Sequence, residues 1–323
     1  MTIPAPDAAR QYQAARESAA AIDLAERGLL AVTGPERQKF LHNLLSNDVQ
    51  SRQPGQGCLA ALMDVKGHLV ALMRVLVAED ATLLEVPADR LSVVEAVLVH
   101  YRVGAPVRFA GRPARVLGLI GPEATARLAT LGLEPPAGGG ESHAVGSLRG
   151  SDVRIVRATD LPGPGFVLHV PPEGATAALE ALVSAGAPLL GRQALDALRV
   201  EAGRAWYGPD VSSENLLHET GLLAQYHSPS KGCYLGQEVV ARLEGRGGKV
   251  NKRLQGLRLS TPAEAGAGVT ADGREVGRVT TAAVSPRLGP VALAYVHRSH
   301  FEPGTAVEVG GAAATVVALP FAG

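Results

Sequence analysis

Apolar positions fall in short blocks along the chain. The 38 glycines and 22 prolines between them predict many turns and short elements rather than long helices. Residues 7–20 have helical character, with Asp7 placed as N-cap. A short apolar strand over 28–33 runs into Gly34-Pro35-Glu36 and then a helix over 37–45. Proline early in a helix, with an acid in the first turn, is a start signal because the missing N–H had no partner anyway. Phe40, Leu41, Leu44 and Leu45 form its buried stripe. Apolar runs over 58–63 and 69–77 flank Asp64-Val65-Lys66-Gly67 and predict a hairpin. A strand over 82–86 follows. Pro87 then opens a helix with Leu91, Val94, Val97 and Leu98 on one face.

This pattern repeats. Gly34-Pro35-Glu36 with Phe40-Leu41 recurs as Gly121-Pro122-Glu123 with Arg127-Leu128, and Val86-Pro87 recurs as Val170-Pro171. Gly104-Ala105-Pro106 recurs as Gly186-Ala187-Pro188. The offsets are 87, 84 and 82 residues, in the same order. Two copies of a strand–helix–hairpin–strand–helix unit follow, over 28–110 and 115–193. That order predicts an α+β pair of ferredoxin-like (split β-α-β) halves about a pseudo-two-fold axis. A concave site is expected where the halves meet. Pro135-Pro136-Ala137-Gly138-Gly139-Gly140 reads as a flexible loop inside the second copy.

From Ala194 the repeat ends. A helix over 194–201 buries Leu195 and Leu198, and an irregular stretch rich in aromatic and charged groups follows to Pro229. A long irregular connection inside a compact domain points to function. Beyond residue 250, β segments at 253–259, 275–281, 291–296, 306–309 and 313–319 predict a small barrel or Greek-key module. The expected domains are 1–110, 111–250 and 251–323.

Charge narrows the functions. Basic and acidic residues balance at 31 each, which argues against a broad nucleic-acid or anionic-membrane footprint. Aromatics at 4% argue against a stacking platform for single strands. Two distant cysteines make no disulfide framework, and the N-terminus lacks a signal-peptide apolar region. No apolar run reaches transmembrane length. A cytoplasmic protein is expected.

The chemistry concentrates in Lys231-Gly232-Cys233-Tyr234-Leu235-Gly236-Gln237-Glu238, ahead of a helical segment. An ammonium and a helix N-terminus both place positive charge near a thiolate. Cys233 is therefore a reactive-thiol candidate and Lys231 its activator; a space-filling cysteine and a solvated lysine are the alternatives. Cys58 sits in an apolar strand and reads as core. Without CxxC spacing a permanent iron–sulfur cluster is not expected. His297 and His300 fall in a β or loop region, so no metal site is expected. Gly245-Arg246-Gly247-Gly248-Lys249 lacks the spacing of a phosphate loop.

Residues 28–50 resemble the N-terminal part of the glycine cleavage system T protein, an aminomethyltransferase. So do Arg199-Val200-Glu201-Ala202-Gly203 and Val276-Gly277-Arg278-Val279-Thr280 with Ser285-Pro286. The cysteine motif, with Arg242 behind it, is similar instead to the signature of the YgfZ branch of that superfamily. The resemblance covers nearly the whole chain. It implies a three-domain ring around a central tetrahydrofolate cavity. Its members support iron–sulfur cluster assembly or repair, and through it tRNA modification.

The implied partners are folate and iron–sulfur enzymes or assembly proteins, around a monomer. By resemblance Glu201 pairs with the pterin edge, where a carboxylate meets two donors; a surface helix-end glutamate is the alternative. Tyr207 contacts the ligand or packs, and Arg242 meets a folate carboxylate or pairs with Glu238. One departure stands out. The T protein carries an acid several residues after a strand-end Asn-Ala. Here 91–94 carries none, and Asp89 falls early. Without that carboxylate, aminomethyl transfer loses its base or charge partner. A folate-dependent iron–sulfur accessory protein, a one-carbon transferase and a non-catalytic scaffold all stay open.

Overall fold

The repeat is real, and each sheet carries one strand more than a four-stranded ferredoxin-like unit. A computed structural model describes residues 6–322. The chain starts with α1 (Pro6–Glu17) and β1 (Ala20–Asp23). Asp7 lies within the first turn of α1, not ahead of it.

The first half comprises β2 (Arg27–Thr33), α2 (Arg37–His42), β3 (Gly57–Met63), β4 (Leu69–Val77), β5 (Thr82–Pro87), α3 (Leu91–Tyr101) and β6 (Arg108–Arg112). The second comprises β7 (Arg115–Ile120), α4 (Ala124–Thr130), β8 (His143–Leu148), β9 (Ser151–Ala158), β10 (Gly165–Val170) and α5 (Ala175–Ser184). The sheet orders are β3-β4-β5-β2-β6 and β8-β9-β10-β7-β1. They match strand for strand, and every pairing is antiparallel.

Three strands therefore run as a meander between the two helices of each unit, where a ferredoxin-like unit has a hairpin. Tight turns impose this order. Asp64 Oδ1 accepts from the Lys66 and His68 amides at 2.8 and 2.9 Å, closing the β3–β4 turn. The last strand differs between halves: β6 follows its own half, whereas β1 joins the second sheet from the start of the chain.

The glycine-proline anchors mark the places where these edge segments cross. Gly34 has φ +110° and Gly121 φ +120°. A Cβ on Gly34 would sit 2.0 Å from the Pro106 carbonyl, and one on Gly121 would sit 2.4 Å from the Ser18 carbonyl. Only glycine permits both the backbone angle and the approach.

Each sheet buries one face under its own helices. Phe40, Leu41, Val94 and Leu98 cover the first, and Leu128, Ala178 and Leu182 cover the second. The other faces pack towards each other through Ala31, Leu76 and Leu83 against Val116, Val156 and Val167, with Trp206 between.

After α6 (Arg192–Glu201), α7 (Leu223–Tyr226) and α8 (Gln237–Glu244), six strands close the expected barrel. They are β11 (Lys252–Leu259), β12 (Gly268–Ala271), β13 (Arg274–Ser285), β14 (Gly289–His297), β15 (Ala306–Val309) and β16 (Ala312–Val317). The short β12 lies in a Gly-rich stretch that carries little apolar signal.

Arg199 ties the barrel on. It is fully buried, donates to Asp210 at 2.5 Å and Thr281 at 3.1 Å, and lies over the Trp206 ring. Asp210 in turn accepts from the Thr280 and Thr281 hydroxyls. Removing one partner of such a pair strands a buried charge. Arg199→Met is expected to lower stability by about 3–5 kcal/mol in urea denaturation; a loss under about 1 kcal/mol would contradict this role.

Burial also sets the pH response. Desolvation holds His42, His143, His169, His218 and His227 below the ordinary imidazole value, His143 at about 4. Each is neutral in the fold and binds a proton more readily once unfolded. Stability is therefore lost as pH falls through roughly 6.5, where the unfolded imidazoles titrate. Thermal melts are expected to be flat near neutrality and to fall from pH 6.5 to 5; an unchanged Tm across that range would count against these burials.

Candidate functional site

Cys233 is exposed, on the loop between α7 and α8. The loop is bolted to the first half. Lys231 Nζ donates to the carbonyls of His42 at 2.6 Å and Leu45 at 2.8 Å, where α2 ends. It also lies 3.5 Å from the Cys233 carbonyl and 4.6 Å from the Tyr234 ring centroid. Burial pulls its ammonium down to about 8. Its donors go to backbone oxygens, so in this geometry it anchors the thiol's loop.

Further ties run from the Ser228 amide to the Ser46 carbonyl at 3.1 Å and from Ser46 Oγ to the Tyr226 carbonyl at 2.5 Å. The second glycine of the motif has a steric reason. Gly236 takes φ +80° ahead of α8, and a Cβ there would lie 2.7 Å from the Asp64 carbonyl. The β3–β4 turn thus seats the start of α8.

Leu235 of the same loop lines an apolar groove of about 530 Å³ with Val65, Val93, Val97 and Tyr101. Val65 is 68% exposed. The other cysteine is core, as its strand pattern predicts: Cys58 is buried, and burial pushes its thiol up to about 12.

The residues assigned to folate do not converge. Glu201 is 4% exposed and already satisfied. It accepts from Tyr12 at 2.8 Å, Ser285 at 2.5 Å and Arg287 at 3.1 Å. This cage joins α1, α6 and the end of β13, and it leaves no carboxylate edge for a pterin. Arg242 is exposed on α8 and, among the described residues, makes neither the expected ion pair with Glu238 nor any other. Of the assigned residues only Tyr207 lines the cavity between the halves. Its hydroxyl donates to the Leu69 carbonyl at 3.3 Å, and Arg90 lies over its ring.

That cavity is small and ionic. Its volume is about 60 Å³, and Arg27, Arg74, Glu85, Asp160, Trp206 and Tyr226 contribute to its wall. Arg74 is buried and meets three carboxylates: Glu85 at 2.6 Å, Glu141 and Asp160. Arg27 meets Glu85 at 2.7 Å and Asp160 at 3.1 Å. The two guanidinium groups outweigh burial and hold the Glu85 carboxyl well below its usual range.

His169 Nε2 lies 2.7 Å from Glu85 Oε2. A carboxylate only accepts, so Nε2 carries the proton. Sequence reading missed this pair, although its signal was present. Glu85 and His169 each precede the Val-Pro anchor of their repeat, so the pseudo-symmetry brings them face to face.

A tetrahydrofolate does not fit here. Sites for ligands of its size occupy roughly 300–1,000 Å³, whereas 60 Å³ holds a few waters. The acid that the resemblance implies in 91–94 is not there either. Val94 is buried under the first sheet, and Asp89 is exposed in the turn before α3.

Comparison with known proteins gives the lineage. The GCVT N-terminal domain matches residues 4–226, and the glycine cleavage T-protein C-terminal barrel domain matches residues 252–322. A chloroplastic putative transferase of Arabidopsis thaliana is 29% identical over 296 residues, 90% of this chain and 68% of that protein. An aminomethyltransferase of Nostoc sp. is 32% identical over 330 residues, 97% of this chain and 87% of that protein. The crystal structure of the glycine cleavage system aminomethyltransferase T from Bartonella henselae superposes with TM-score 0.88 at 25% identity, covering 98% of this chain and 89% of that one. With both modules matched in order, the chain belongs to the glycine cleavage T-protein (GCVT) family of aminomethyltransferase-like proteins.

Proposed function

We propose that this family member is a thiol-presenting accessory protein for iron–sulfur cluster assembly or repair, of the YgfZ type, acting in the cytoplasm. The observation that carries the reading is Cys233, exposed on a loop that Lys231 pins to the first half. A single thiol is one ligand, so it holds iron or a cluster only together with ligands from a partner. The groove beside the loop supports a macromolecular partner, because exposed apolar patches of this kind mark interaction surfaces. An effect on tRNA modification would follow indirectly, through iron–sulfur enzymes.

A second reading, one-carbon transfer with tetrahydrofolate, is favoured by the aminomethyltransferase relatives. The missing acid in 91–94 and the small central cavity oppose it. Formation of methylenetetrahydrofolate from an aminomethyl donor by the purified chain would establish that reading instead.

Two outcomes are expected. Cys233→Ala should leave stability within about 0.5 kcal/mol of wild type, yet fail to restore iron–sulfur enzyme activity in a strain lacking the protein. Full rescue by this variant would overturn the proposal. Lys231→Met removes charge-assisted hydrogen bonds worth about 1–2 kcal/mol, so amides of the 228–235 loop should exchange hydrogen roughly tenfold faster. An unchanged exchange rate would show that the lysine does not anchor the loop.

A further inference from the structure

We infer that the space between the halves is an ionic bridge rather than a ligand chamber, and that folate does not enter it. Arg74 carries the bridge. Its Nη1 serves Glu85 of its own sheet, while its Nε and Nη2 serve Glu141 and Asp160 of the other half. Each of the three guanidinium nitrogens thus already donates to a carboxylate, and a ligand anion would have to compete with these pairs.

The acceptors are equally committed. Glu141 Oε1 accepts from the Thr159 amide at 2.9 Å and its hydroxyl at 2.6 Å, while Oε2 takes Arg74. Glu141 holds this position with φ +61°, a backbone region unfavourable for a residue with a Cβ. Gly57 makes room for it, because a Cβ there would lie 2.8 Å from the Glu141 carbonyl. The loop is thus shaped to deliver a carboxylate to Arg74.

Pseudo-symmetry completes the closure. In the sheets Arg74 is paired with Glu85, and Arg154 with His169. Glu85 and His169 bond across the axis. Arg154 turns to His143 at 2.7 Å and so adds no cation to the cluster. Two arginines then face three carboxylates, Glu85, Glu141 and Asp160. That balance repels the dianionic glutamate tail of a folate as well as leaving it no space.

This inference stands apart from the role of Cys233, and its test uses different variants. The full-length protein is titrated calorimetrically with tetrahydrofolate under reducing conditions. No saturable heat that depends on Glu85 is expected at ligand concentrations up to about 1 mM, a range that reports binding down to about −4 kcal/mol. Saturable 1:1 binding that Glu85→Gln weakens tenfold or more would overturn the inference. Binding that Glu85→Gln and Tyr226→Ala leave unchanged would place folate elsewhere and agree with a closed centre. Arg74→Met is expected to lower Tm by roughly 5–10 °C, because three carboxylates lose their buried partner. Glu85→Gln keeps the shape and should lower it less. A wild-type Tm in both variants would overturn the bridging role.

Discussion

A guanidinium buried between two sheets must find carboxylates, and Arg74 finds them on both sides of the pseudo-two-fold axis. Most of the architecture between the halves answers to that requirement. It fixes the inward faces of β4 and β5, and the left-handed residue at the tip of the 138–141 loop. It also fixes Arg27 beside Trp206 and the size of the space left over. A close-packed interior transmits such a constraint, because neighbouring side chains have no slack to take it up.

The same device recurs at the other junctions. Arg199 joins α6 and the connector to the barrel through Asp210 and Thr281. Lys231 joins the cysteine loop to the end of α2 through backbone carbonyls. Arg74 and Arg199 are fully buried and Lys231 is half-buried, and each donates to groups from another part of the chain. The three parts of the chain are therefore held together by three cation-centred ties, and the exposed thiol sits on the loop that the third one holds. Cys233 stands there beside an apolar groove, while the space between the halves is lined by ion pairs.

What could be read in the sequence follows the range of the forces involved. The repeat was legible because its anchors are steric: Gly34 and Gly121 tolerate no Cβ, and Val86-Pro87 and Val170-Pro171 start helices. The barrel was legible because short apolar segments alternate with turns. The exchange of an edge strand was not, since β1 joins β7 across more than ninety positions. The motif loop was legible as a unit because Lys231, Cys233 and Gly236 are neighbours. The role of Glu201 was not. Its partners Tyr12 and Ser285 lie 189 and 84 residues away, and no local pattern announces them. The Glu85–His169 contact needed the repeat to be read for its polar positions as well as its apolar ones.

The most direct test is thiol labelling of the native full-length protein with N-ethylmaleimide, followed by peptide mass spectrometry, with and without tetrahydrofolate. Cys233 should be modified while Cys58 is spared, at a rate that tetrahydrofolate leaves unchanged. Protection of Cys233 by tetrahydrofolate, or labelling of Cys58 at the same rate, would contradict an exposed thiol set apart from a closed centre.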